Sequence, residues 1–125
     1  MSWKAQSPEK FAGTVVGSGQ CVAFVQEASG APVTSLWTRG AKVRDGDAPE
    51  GTAIATFDPD GIYGNHTDGR SHAAILGEQQ DGGLLVWDQW LGHPVSQRVI
   101  HFRGGSGEPV NDGDQFYVIE RVAEA

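Results

Sequence analysis

An α+β fold, with one helix packed on the face of an antiparallel sheet, is predicted by three features of the chain. A short apolar run at helical spacing, residues 20–28, opens after a glycine-rich break. From Gly51 onward the apolar runs are short, some alternate with period two, and turn residues separate them. The length of 125 residues, with 38% hydrophobic and 20% charged, suits one globular domain spanning 1–125.

Ser7-Pro8-Glu9 reads as a helix entry, with Ser7 as cap and Pro8 in the first position. Gly17-Ser18-Gly19 then breaks the chain just before Gln20. Val22, Val25 and Ala28 recur at helical spacing with Phe24 beside Val25, and Gly30 followed by Pro32 is a natural stop. Cys21 therefore lies in the first turn of a buried helix. Residues 37–40 read as a short helical turn or a loop. The run 52–57 alternates as a strand, and Asp58-Pro59-Asp60-Gly61 is a turn. Ser71-His72 leads into an apolar strand at 73–76, and a hairpin connection at 79–83 has Asp81-Gly82 as its tightest element. Strands at 84–90, 97–102 and 115–119 follow, the last two separated by a Gly/Asp-rich loop at 104–114.

Composition excludes several functions. Net charge is −7 with only nine Lys and Arg, so no basic face exists to displace counterions from nucleic-acid phosphates or to bind an anionic membrane. No apolar stretch approaches the roughly 20 residues that span a bilayer. The start, Met1-Ser2-Trp3-Lys4, lacks the basic-then-apolar pattern of a secretory signal, and the expectation is a protein made and folded in the cytosol.

A single cysteine rules out an internal disulfide, which leaves Cys21 as either a small core residue or a reactive thiol. Helix N-terminal amides and a neighbouring imidazolium both stabilise a thiolate, and Cys21 sits at a helix start after glycines that permit close approach. His72 opens an apolar strand that has no packing use for an imidazole, and small Ala73 and Ala74 let a helix come close. The triad logic of thiol catalysis asks for a third group to orient that imidazole. Asp88 and Gln89 both lie within an apolar strand, and alternation puts only one on the His72 face. Asp88 is favoured, since a carboxylate stabilises an imidazolium better than an amide; Gln89 is the reserve.

Other signals are discounted. Ile62 and Gly69 stand where a calcium loop beginning at Asp58 needs oxygen ligands. The histidines lack metal-ligand spacing, so neither a metal nor a cofactor is expected. Gly17-Ser18-Gly19 is followed by no Lys-Ser/Thr and is no phosphate loop. Asn65-His66-Thr67 lies just before His72 and is a candidate groove wall, and among the four tryptophans Trp90 and Trp37 are the candidate groove residues.

Taken together, Gly19-Gln20-Cys21-Val22-Ala23-Phe24-Val25, Trp37 with Gly40, Pro49-Glu50-Gly51-Thr52-Ala53-Ile54-Ala55-Thr56-Phe57 and His72-Ala73-Ala74-Ile75 resemble the CHAP and NlpC-type amidases. Those are papain-like bacterial enzymes that cut amide bonds in peptidoglycan peptides. The resemblance covers about residues 17–90. It implies a papain-like fold and a thioester acyl-enzyme, with Cys21 as nucleophile, His72 as base and Asp88 as orienting acid. It also implies that Gln20 helps the Cys21 amide hold the oxyanion, with Gln89, Asn65, His66 and Trp90 around the substrate. Short length and the missing secretory signal are similar to the amidase effectors injected through type VI secretion. The implied partners are peptidoglycan peptides in a target periplasm and a cognate immunity protein. The competing readings are a thiol acyltransferase or protease on the same fold, or a non-catalytic module with an inert Cys21.

Overall fold

The computed structural model describes residues 2–121. In chain order these form a 3₁₀ turn (Pro8–Phe11), α1 (Cys21–Ser29), a 3₁₀ turn (Thr34–Leu36), β1 (Trp37–Lys42), β2 (Ala53–Ala55), β3 (Ala73–Gln80), β4 (Gly83–Trp90), β5 (His93–His101), 3₁₀ turns at Pro109–Asn111 and Gly113–Gln115, and β6 (Tyr117–Arg121). The six strands make one antiparallel sheet in the order β1-β6-β2-β3-β4-β5. This is the α+β architecture expected from the patterning, with one α-helix on one face. Among the described residues no helix is long and apolar enough to cross a membrane.

The sheet is covered on both faces, so it has two cores. Phe24 and Val25 of α1 pack with Ala73 and Ile75 of β3, Ala53 and Ala55 of β2, Trp37 and Ile119. Leu76, Leu84, Val86, Ile54 and Ile100 form the core of the other face, closed by Phe116 and Val43. β2 lies between β6 and β3, which explains why Ala53, Ile54 and Ala55 are all buried despite pointing alternately to opposite faces. α1 stops at Gly30, whose N–H returns to Gln26 O at 2.9 Å.

Five expectations are corrected. Residues 37–40 are neither helical turn nor loop but the start of edge strand β1. Only Trp37 is buried in that strand, so the apolar alternation that marks a strand is missing. β3 continues to Gln80 because Glu78, Gln79 and Gln80 overhang the core, where polar residues pair with β4 and meet solvent. β5 begins at His93 and β6 at Tyr117, since residues 113–115 turn as 3₁₀. Ser7 precedes a 3₁₀ turn rather than a helix, and its side chain caps nothing.

Gly40 lets β1 approach β6. A Cβ there would stand 2.7 Å from Val118 O and 2.5 Å from Glu120 Cγ. Gly40→Ala is expected to lower stability by about 1–3 kcal/mol through this overpacking. Urea unfolding should show a reduced midpoint at unchanged slope, and an unaltered midpoint would show that β1 and β6 adjust without strain.

Candidate active site

Cys21 is the first residue of α1, with Gln20 as the extended residue before it. The preceding turn closes through a hydrogen bond from Gly19 N to Val16 O at 3.0 Å. Gly19 has φ +86°, a left-handed conformation that disfavours a side chain. The sulfur at this helix start is half-buried.

Helix packing brings His72 to this sulfur from the opposite side of the sheet. Ala73 and Ile75 face α1, so His72, one residue before Ala73, belongs to the other face. It sits at the entry to β3, where the strand no longer separates the two faces. Thr56 holds it there: His72 N donates to Thr56 Oγ1 at 3.0 Å, and Thr56 N donates to His72 O at 3.0 Å. His72 is 6% exposed, with its ring edge against Trp90 and Phe116.

Asp88 and Gln89, neighbours in sequence and both 0% exposed, do different things. Asp88 shares the face of Leu84 and Val86, and its Oδ2 accepts from His72 Nε2 at 2.7 Å. The same oxygen accepts from Arg98 Nε at 2.8 Å and lies 2.8 Å from Arg98 Nη2. That leaves His72 Nδ1 for Cys21. Gln89 points to the helix face and does not reach His72. Its Oε1 accepts from Val16 N at 2.9 Å, and its Nε2 donates to Val16 O and Gln20 O at 2.9 and 2.8 Å. The reserve assignment of Gln89 as third member or groove residue is therefore corrected, because alternation spends its amide on the loop that carries Cys21.

The charges reinforce one another. Burial pushes the Cys21 thiol up, but the hydrogen bond and charge of His72, the Ala73 amide and the Tyr63 hydroxyl outweigh it and leave the thiol below its ordinary value. Burial pulls the His72 imidazolium down, yet bonding to Asp88 and Cys21 pushes it up to about 9. Burial pushes the Asp88 carboxyl up, but the hydrogen bonds and charges of His72 and Arg98 outweigh it and hold it below the usual carboxylate range. All three shifts favour a thiolate–imidazolium pair braced by a carboxylate.

Tyr63, Arg98 and Thr56 carry no weight in the sequence reading, yet each touches a member of this chain of contacts. The Tyr63 hydroxyl stands 3.8 Å from Cys21 Sγ. Burial, and then the nearby Cys21, push its pKa well up, so it stays a neutral donor. Trp37, expected at the groove, instead lies in the core and backs Tyr63 at 5.0 Å, with its Nε1 donating to Pro32 O at 2.9 Å. A tyrosine between a turn and a loop leaves no periodicity to notice.

A groove crosses the site in two lobes. The inner lobe, about 310 Å³, is lined by Cys21, Gln20, Tyr63, Asn65 and Leu91, and the outer, about 330 Å³, by Arg98, Asn111, Val110 and Gly69. His66, Thr67, Ser71, His72 and Trp90 border both. Asn65, in a left-handed turn at φ 52°, is exposed at the wall. His66 Nε2 lies 2.9 Å from Asp58 Oδ2. Among the described residues no three His, Cys, Asp or Glu side chains converge as a metal site.

Four outcomes test this geometry. Thiol alkylation near pH ~6 should be faster than for free cysteine, and a rate no faster would remove the activated thiolate. Turnover should fall above about 9 as His72 loses its proton. Removing the Asp88 charge removes what raises His72, so Asp88→Asn should shift that alkaline limb to lower pH. Gln89→Glu would set a carboxylate against the Val16 and Gln20 carbonyls and should cut kcat by up to about 100-fold with little change in KM. If melting temperature falls but the alkylation rate does not, Gln89 supports the fold and not the position of Cys21.

Comparison with known proteins gives the chain's relatives. A protein of Ixodes scapularis named domesticated amidase effector 2 is 40% identical over 111 residues, covering 84% of this chain and 73% of its own. A Salmonella typhi protein named type VI secretion amidase effector 2 is 41% identical over 81 residues, 64% of this chain and 59% of its own. The solved structure of a type 6 secretion amidase effector 2 superposes with TM-score 0.82 and 29% identity, covering 97% of this chain and 96% of that one. The family profile of domesticated amidase effector 2 matches residues 1–119, and this chain belongs to that family.

Proposed function

We propose that this chain is a cysteine amidase that hydrolyses amide bonds in peptidoglycan stem or cross-bridge peptides and acts as an antibacterial effector. The observation that carries the chemistry is the contact order Cys21–His72–Asp88 at a helix start opening into a groove. Family membership, with relatives named as amidase effectors, supports the substrate class.

In this reading the fold is papain-like and Cys21 Sγ attacks the scissile carbonyl carbon as the thiolate. Negative charge moves to the carbonyl oxygen, which the Cys21 backbone amide at the start of α1 stabilises, with Gln20 beside it. His72 Nδ1–H gives its proton to the leaving amine, and a thioester remains on Cys21. His72, now neutral, takes a proton from water; the hydroxide adds to the thioester, and collapse expels the thiolate. Asp88 holds the imidazole through Nε2 and favours its charged form at each transfer. Tyr63 donates toward the sulfur and steadies the resting thiolate.

Such an effector would fold harmlessly in its producer, act in a target periplasm and be blocked there by an immunity protein that covers the groove. Mass spectrometry of digested sacculi should show new amine and carboxyl ends. Cys21→Ala should abolish cleavage with the fold intact. Directed to a bacterial periplasm by an added signal, the protein should lyse cells while the Cys21→Ala form does not. Absence of cleavage on both intact sacculi and free muropeptides, or equal toxicity in cytosol and periplasm, would overturn the amidase reading.

A further inference from the structure

The outer lobe of the groove has a chemical character that cleavage by Cys21 does not require. Among the described residues no Asp or Glu lines either lobe, although the chain carries 16 acidic residues and a net charge of −7. The one Lys or Arg in the lining is Arg98, whose side chain is 30% exposed. Its orientation is fixed on two sides: Nε and Nη2 are taken by Asp88 Oδ2, and the guanidinium lies 5.0 Å from the centre of the Trp90 ring. Nη1 makes no hydrogen bond among the described residues, so its two N–H groups are left over in a guanidinium that cannot turn away.

Asn111 lines the same lobe. Its backbone oxygen accepts from Arg103 Nε at 2.9 Å, while its exposed side-chain amide has no partner among the described residues. Glu108, whose backbone oxygen accepts from Asn111 N at 3.0 Å, lies against Gly69 at the Asn111 end of the lobe, and its carboxylate leaves the Arg98 end as the side where an anion is favoured. A fixed guanidinium edge beside a free amide, in a groove lined by no acid, fits a carboxylate better than a neutral group or a cation.

We propose that the Arg98–Asn111 lobe is a carboxylate subsite, holding a free carboxylate of the peptide next to the scissile amide. Arg98 and Asn111 are then specificity-determining residues. Resting on the amidase reading for the identity of the peptide, this selects stem peptides with free carboxylates over the same peptides in amidated form. Arg98 also braces Asp88, so a loss of turnover on its substitution cannot by itself separate the two roles.

Binding to the Cys21→Ala protein separates them, because no chemistry intervenes. The probes are a peptidoglycan stem tetrapeptide with free carboxylates and the same peptide with every carboxylate amidated, measured by calorimetry. The free form should bind about tenfold more tightly, the scale of one charge-assisted hydrogen bond. Arg98→Gln and, independently, Asn111→Ala should each shrink that ratio by weakening only the free form. Equal Kd values for the two peptides, equal weakening of both by the variants, or no binding of either would overturn the subsite. A preserved preference in the Cys21→Ala protein, beside an unsubstituted protein that cleaves neither peptide, would uphold the subsite and overturn the amidase reading alone.

Discussion

At the end of β4, two adjacent buried polar side chains point to opposite faces of one strand, and each holds one half of the site. Asp88 fixes His72 through Oδ2, and Gln89 fixes the Val16–Gln20 turn that delivers Cys21. A strand has no freedom to rotate one of these residues without the other, so the period of two in β structure sets the geometry between imidazole and thiol. A register slip by one residue would swap the two roles and destroy both. Burial makes this arrangement stringent, since a carboxylate or amide in the interior is tolerated only where its partners are in place.

The same stringency explains why so many donors gather on one oxygen. Asp88 Oδ2 takes His72 and Arg98 together, while Oδ1 is buried without a partner among the described residues. Two cationic groups compensate a single buried charge, and Arg98 prevents the carboxylate from rotating away from the imidazole. His72 is in turn held between Asp88 and Cys21, so each group's charge is stabilised by the next. The order thiol, imidazole, carboxylate, guanidinium runs from the inner lobe of the groove to its outer lobe.

The walls come from parts of the chain with little regular structure. Residues 56–72 carry Tyr63, Asn65, His66 and Ser71 past the site, tied down by Thr56 Oγ1 to Arg70 O at 2.9 Å, His66 N to Ser71 Oγ at 2.8 Å and the His66–Asp58 pair. The other wall is the β4–β5 hairpin, where Trp90 stacks on His93 at 4.0 Å and Leu91 is exposed. Both walls are anchored to the strand ends that carry His72 and Asp88, which places the groove over the Cys21 sulfur.

Features that depend on local spacing were legible along the chain. Glycines before an apolar run put Cys21 at a helix start, an imidazole at the head of an alanine-rich strand stood out as His72, and alternation in 84–90 assigned Asp88 and Gln89 to different faces. Family resemblance was legible for the same reason, since it is carried by short contiguous stretches. Which residues meet across the chain emerged only with the fold: Gln89 on the turn before Cys21, Tyr63 beside the sulfur, Arg98 behind Asp88, and Trp37 in the core rather than the groove. The strand at 37–42 was equally hidden, because an edge strand with one buried side chain leaves almost no periodic signal. Hydrophobic periodicity records which way a residue faces, but a polar contact between residues far apart in sequence depends on strand order and loop path, which no local pattern encodes.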